Sequence, residues 1–139
     1  MGKDKRYYDV KRNQSPPRTI KYFDLSEFDS PDESDSGDNM DVYFIRKLDE
    51  AREIAGIPFK VNSGYRTPFH NTMVGGVKDS SHIKIPCCAA DIETKDSKTR
   101  FLIISSAIKA GINRIGIGKN FIHLDSDITK SQDVTWHYY

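Results

Sequence analysis

Cysteine is nearly absent: the 139 residues contain two, Cys87 and Cys88, and these are adjacent. Sequence neighbours rarely bridge, and two thiols make no staple framework, so a disulfide-held fold is excluded and a reducing place of synthesis is expected. Long apolar runs are missing as well. No stretch approaches the roughly eighteen apolar residues of a membrane helix, so no membrane insertion is expected. The opening MGKDKRYYDVKRNQSPPR has charge but no apolar block after it, so no export signal peptide is read and synthesis in the cytoplasm is expected. Internal repeats are lacking, which sets aside a solenoid. The compact helical His-Glu-x-x-His of many zinc proteases is lacking too.

What remains is 37% hydrophobic and 29% charged, long enough for one real core and too short for two ordinary domains. The net charge of +1 conceals a division. Lys3, Lys5, Arg6, Lys11, Arg12 and Arg18 crowd the beginning, whereas residues 24–41 hold acids and no base. Residues 1–19 have no sustained apolar period and include Ser15-Pro16-Pro17, so they read as a flexible basic arm. Such an arm could meet nucleic acid or a membrane surface, but short charge runs are ordinarily only solvated. Nothing downstream resembles a nucleic-acid reader, so no nucleic-acid partner is expected. A single domain over residues 20–139 is the expected remainder.

Periodicity sketches that domain. Tyr22, Phe23, Leu25 and Phe28 supply buried anchors, and Asp29 to Asn39 reads as a surface loop. Met40, Tyr43, Phe44, Leu48, Ala51, Ile54 and Ala55 recur at helical spacing behind Asn39 or Asp41 as N-cap, and Gly56 with Pro58 stops the helix. Phe59 to Asn62 predicts a short strand, Thr67-Pro68 opens a short helix through Val74, and Gly75-Gly76 ends it. Ala89 to Glu93 predicts a strand, and a helix follows from Asp96 or Ser97 to Gly111. Arg114 to Gly118 and Phe121 to Asp125 predict a hairpin about Lys119-Asn120, with Val134 to Tyr139 as a final strand. This order predicts an α+β fold with a mainly antiparallel sheet and helices packed on one side.

Chemistry concentrates in Ser80, His82, Asp91, His123 and Asp125. Zinc accepts imidazole nitrogen and carboxylate oxygen, and a catalytic site uses three protein ligands with a fourth position left to water. Two histidines and one carboxylate meet that count. On a strand His123 and Asp125 share a face, so one can bind metal while the other addresses the bound water or orients a ligand; Glu93 stands in the same relation to Asp91. The same residues also fit a loop histidine, a strand-end acid and a half-buried histidine with no metal at all.

One ordered series separates these readings. Phe59-Lys60-Val61-Asn62-Ser63-Gly64-Tyr65-Arg66, His70-Asn71, Val74-Gly75-Gly76, Ser80-Ser81-His82, Ala89-Ala90-Asp91, Arg114-Ile115-Gly116-Ile117, Phe121-Ile122-His123-Leu124-Asp125 and Trp136 occur in this order. Together they resemble the zinc D-alanyl-D-alanine carboxypeptidases, the M-fifteen peptidases, whose fold is shared with the hedgehog signalling domain. The resemblance runs from about Tyr22 to the end of the chain, and its small size is similar to versions carried by bacteriophages. It implies one zinc ion held by His82, Asp91 and His123. It also implies that Arg66 acts as an electrophilic clamp on substrate oxygens, with Ser80 and Tyr65 on the substrate side.

The chain departs from the pattern in two places. Two extra residues, most simply Ile85-Pro86, separate His82 from Asp91, and Cys87 replaces a glycine. Cys87 or Cys88 as a soft ligand is the lesser reading beside that of buried inert thiols. Several relatives have an acid three residues before the last zinc histidine, and here that position is Asn120, which cannot take a proton. Asp125 is therefore expected as general base, with an orienting role as its alternative and Glu93 and His70 as lesser candidates. Tyr65, Asn71 and Trp136 also suit packing and loop-fixing. The implied activity is hydrolysis of peptidoglycan stem peptides, as a carboxypeptidase at D-Ala-D-Ala or as an endopeptidase. The implied setting is a phage endolysin acting on the host cell wall, from within the host cell or on the virion. The rival expectation is a non-catalytic, zinc-stabilised binding module.

Overall fold

A computed structural model describes residues 19–139; the basic arm, apart from Thr19, lies outside the described residues. The chain enters along the first helix, where the Asp49 carboxylate accepts the backbone N–H groups of Lys21 (3.0 Å) and Tyr22 (2.9 Å). Phe23 and Phe28 then turn into the core. The stretch expected as a surface loop, residues 29–39, is exposed over residues 31–35 and anchored to the domain on either side. The 3₁₀ turn before it, Leu25–Phe28, and the one at its end, Ser36–Asn39, are tied together by the Asp29 carboxylate, which accepts the Gly37 (2.7 Å) and Asp35 (3.2 Å) N–H groups, and Ser30 and Ser36 are buried.

Helix α1, Val42–Ala55, begins where the Asp41 carboxylate accepts the Tyr43 N–H at 2.9 Å and ends at Gly56, whose φ of 69° is open to glycine at little cost. It buries Phe44, Ile45, Leu48 and Ala51, each large side chain contributing about 1.5–3 kcal/mol on leaving water. The six-residue α2, Pro68–Met73, is capped by Thr67 with proline in its first turn. Helix α3, Ser97–Lys109, is capped by Asp96 and presents Ile103, Ser106 and Ala107 inward. It packs on α1 and on the sheet.

The five strands are β1 (Val61–Ser63), β2 (Ala89–Glu93), β3 (Arg114–Ile117), β4 (Phe121–Asp125) and β5 (Val134–His137), in spatial order β1-β2-β4-β3-β5. Three pairings are antiparallel and β3 with β5 is parallel, which makes the sheet mixed but mainly antiparallel. β1 is shorter than its apolar pattern suggested. Phe59 is in the core, and pairing starts only where the Lys60 carbonyl accepts the Glu93 N–H.

Alternation divides the sheet into two chemistries. Ala90, Ile92, Ile115, Ile122 and Leu124 belong to the hydrophobic core. On the other face the register places Ser63 beside Asp91, Asp91 beside His123, His123 beside Gly116 and Gly116 beside Trp136. One row of partners thus crosses all five strands. A second row sets Asp125 between Ala89 and Arg114.

Candidate metal centre

His82 reaches this face from the 3₁₀ turn Ser81–Ile83, just before β2. Ser80 starts that turn by accepting the His82 N–H at 3.1 Å, and the His82 carbonyl receives the Arg66 N–H at 2.8 Å. The extra residues in the following loop leave His82 and Asp91 together. The loop folds away toward α1, where Cys87 exchanges backbone hydrogen bonds with the 39–41 segment at 2.8 and 2.7 Å; its Ile85–Pro86 peptide is cis. Both cysteines are unbridged and buried, and burial pushes both thiols up. Neither joins the ligand group.

His82, Asp91 and His123 do come together. They are the group of donors among the described residues that could hold a metal ion, with ligand atoms within 4.8 Å of one another. His82 Nε2 lies 3.3 Å from His123 Nδ1 and 3.4 Å from an Asp91 oxygen, and that oxygen is 2.9 Å from His123 Nδ1. Zinc–nitrogen bonds of 2.0–2.1 Å in a tetrahedron set ligand atoms about 3.3 Å apart, so the triangle has the size that zinc requires.

The proton positions strengthen the fit. His82 Nδ1 sits 2.6 Å from the Gly64 carbonyl, which can only accept, so this nitrogen carries the hydrogen and Nε2 turns a lone pair inward. His123 Nε2 sits 2.6 Å from an Asp125 oxygen, so Nδ1 likewise turns a lone pair inward. Two lone pairs and a carboxylate therefore converge on one point. Mutual repulsion there is relieved only by a cation or an added proton.

The titration tendencies follow from these contacts. Burial lowers the His82 pKa. Burial alone would lower that of His123 as well, but hydrogen bonds to Asp125 and Asp91 outweigh it and raise it. For Asp91 burial works upward, and the two histidines override it and hold the carboxyl well below the ordinary range. Asp125 is also lowered, with the His123 hydrogen bond the main cause opposing burial.

Arg66 stands beside Asp91 of this group. Its Nε donates to Ser63 Oγ (3.1 Å), and its two terminal nitrogens donate to Asn71 Oδ1 (3.1 Å) and to the Asp91 oxygen Oδ2 (3.3 Å). Gly76 permits this clamp, because a Cβ there would fall 2.0 Å from Asn71 Oδ1. Asn71 is thus a fixing residue for the guanidinium.

Asp125, expected as general base, backs the His123 ring. It is only 1% exposed, lies on the far side of the His123 ring from the converging lone pairs, and has both oxygens engaged. Oδ1 accepts from Arg114 Nε at 2.7 Å and from the Asp127 N–H at 3.0 Å. Tyr65 does not reach the cleft; the residue is 5% exposed within the hydrophobic core, because Gly64 and Tyr65 turn inward against Phe28. Ser80 lines the cleft, His70 and Glu93 do not, and Glu93 pairs instead with Lys60 and Lys95.

Several lining residues went unread as such in the sequence. A cleft of about 620 Å³ opens over the triangle, bordered by Arg66, Val77, Ser80, Lys130, Trp136 and Tyr138 among others. Arg114 holds Asp125, donates to the Ser131 carbonyl and stacks 4.9 Å over Trp136. A turn centred on Lys119-Asn120 already implies that Arg114 faces Asp125, so this pair was legible in the hairpin. Lys130 and Tyr138 left no such signal.

Two histidines and one carboxylate at the floor of an open cleft, with a guanidinium alongside, define the class as a candidate metal-dependent hydrolase. The sequence model of the Peptidase M15 family matches residues 21–125. That span is most of the chain, and the chain belongs to this peptidase family. No curated protein matches it significantly. The matched span ends with β4, so β5, Trp136 and Tyr138 lie beyond it. No helix among the described residues is long and apolar enough to cross a membrane.

Proposed function

We propose that the protein is a zinc-dependent peptidase that hydrolyses peptidoglycan stem peptides, at D-Ala-D-Ala or at an internal bond. The observation that carries this reading is the convergence of the His82 Nε2 and His123 Nδ1 lone pairs with the Asp91 carboxylate, at zinc-sized spacing under an open cleft. His82, Asp91 and His123 would hold the ion. When bound, zinc supplies a Lewis acid and brings the pKa of its water toward about 7.

The chain's own groups do the rest. The Gly64 carbonyl and Asp125 fix the two ring tautomers, Asp125 acting as the positioning residue for His123 rather than as a base. Arg66 keeps two of its five N–H groups beyond the three donations described above, and these are offered to a substrate carbonyl or terminal carboxylate. Ser80 holds the His82 turn and lines the cleft, where its hydroxyl is free to donate to substrate. Arg66 offsets the charge of Asp91 and Arg114 that of Asp125, which leaves the centre electropositive with metal bound and suited to oxygen anions. The setting proposed is a bacteriophage acting on its host's wall during entry or lysis.

The test is metal content of the purified protein beside His82→Ala and His123→Ala, followed by release of D-alanine or stem-peptide fragments from purified walls. About one zinc in the wild type, lost in both variants, with cleavage by the wild type alone, is the expected result. No bound metal would overturn the ligand assignment. The second reading, a zinc-stabilised binding module, is favoured by one observation: the cleft's two carboxylates, Asp91 and Asp125, are both engaged. Zinc binding without cleavage of any wall peptide would put that module in the enzyme's place.

A further inference from the structure

With both cleft carboxylates engaged and Asn120 where relatives place an acid, charge that develops on a substrate oxygen needs neutral or cationic donors. Arg66 supplies them from the Ser63 end of the row that crosses the sheet. The opposite end of the row is Gly116 and Trp136, and there the cleft wall is aromatic. The Trp136 ring lies 5.6 Å from that of His123, and Tyr138 packs at 5.3 Å against Phe121 and edge-on to Trp136 at 6.3 Å.

This wall is built into the fold. The Tyr138 N–H donates to the Ile117 carbonyl at 3.1 Å, which extends the attachment of β5 to β3 by one residue. The missing side chain of Gly116 lets both rings lie close to the sheet, since a Cβ would meet Trp136 Nε1 at 2.7 Å and Tyr138 Cε2 at 2.8 Å. Tyr138 nonetheless remains 53% exposed while it lines the cleft. Burial of its inner part, with smaller contributions from Asp91 and Asp125, raises the phenol pKa, so the hydroxyl keeps its proton at neutral pH. The phenol, lining the cleft, offers it one O–H donor.

We infer that the Tyr138 hydroxyl is a catalytic hydrogen-bond donor, placed across the metal ligands from Arg66 to hold the scissile carbonyl oxygen as negative charge develops on it. The inference rests on the peptidase reading and adds a group outside the family-matched span. No bond to Tyr138 forms or breaks; the phenol only donates a hydrogen bond that strengthens toward the transition state.

The experiment compares full-length, zinc-loaded wild type with Tyr138→Phe on a stem pentapeptide ending in D-Ala-D-Ala. A phosphinate dipeptide serves as the tetrahedral mimic. The variant should keep its zinc and hold KM within about twofold, while kcat falls by about 10²–10³, the usual effect of removing one such donor. Phosphinate affinity should fall with kcat. A kcat within twofold of wild type, or a loss confined to KM, would overturn the inference. If the wild type cleaves no wall peptide, the peptidase reading alone fails. Phosphinate binding then tests Tyr138 by itself: weaker binding in Tyr138→Phe supports the inference, and equal affinity overturns it.

Discussion

Replacing Asp125 by asparagine separates positioning of His123 from proton transfer. In the folded protein Asp125 accepts three hydrogen bonds, from His123 Nε2 (2.6 Å), Arg114 Nε (2.7 Å) and the Asp127 N–H (3.0 Å). An amide of the same shape keeps one acceptor oxygen and turns an NH₂ toward the other donors. Removing one partner of a buried ion pair costs about 3–5 kcal/mol. Arg114 retains the Ser131 carbonyl and its stack on Trp136, so we expect the metal-free variant to be destabilised by a smaller amount, about 2–4 kcal/mol. Zinc affinity should fall by about 10- to 100-fold, because the His123 ring loses the acceptor that fixes its tautomer. Urea unfolding of the metal-free protein and zinc titration against a chromophoric chelator measure the two effects. A general base would behave otherwise: zinc affinity and stability would hold while turnover fell by about 10²–10⁴. Wild-type zinc affinity and an unchanged urea midpoint in Asp125→Asn would therefore refute the positioning role.

Two further outcomes follow from the packing. Gly116→Ala should cost about 1–3 kcal/mol by overpacking, since the new methyl meets Trp136 and Tyr138 below 3 Å, and the quenching of Trp136 fluorescence should change as the ring moves. Asp127, which ties the turn of His82 to the loop after β4, accepts from Ser81 Oγ (2.6 Å) and Lys84 Nζ (2.7 Å). Burial would raise its pKa, but the bonds from Lys84, Ser81 and Thr129 outweigh burial and hold it below the usual value. A depressed folded-state pKa gives stability that is present above the unfolded pKa of about 3.9 and is lost as pH falls through the folded value. Acid titration of wild type should thus lose stability below about pH 4 that Asp127→Asn does not lose. With Lys84 one-third exposed, the difference at pH 7 should be near about 1.5 kcal/mol, and equal acid sensitivity of the two proteins would count against this account.

Much of the architecture was legible because it is local. Asp41, Thr67 and Asp96 stand where helices begin, Gly56 and Gly111 where they end, and strands β2 and β4 alternate so that His123 and Asp125 share a face. Capping and alternation act over a few residues, and a sequence displays them directly. The sequence also picked out His82, Asp91 and His123 as a possible ligand set.

Tertiary structure decided where the side chains point. Whether Asp125 faces the metal side or backs the histidine depends on which ring nitrogen of His123 points inward. That depends in turn on Asp91 lying opposite His123 in the β2–β4 register and on Arg114 lying opposite Asp125 in the β3–β4 register. Tyr65 was drawn away by the demand for core burial beside Phe28, a contact 37 positions distant in sequence that no local pattern records. Tyr138 entered the cleft only because β5 pairs in parallel with β3, carrying the end of the chain back across the sheet to His123. The candidate ligand set follows from residue type and order, which the sequence by itself supplied. Lone-pair direction, proton placement and the far wall of the cleft are properties of long-range strand pairing, and only the folded sheet fixed them.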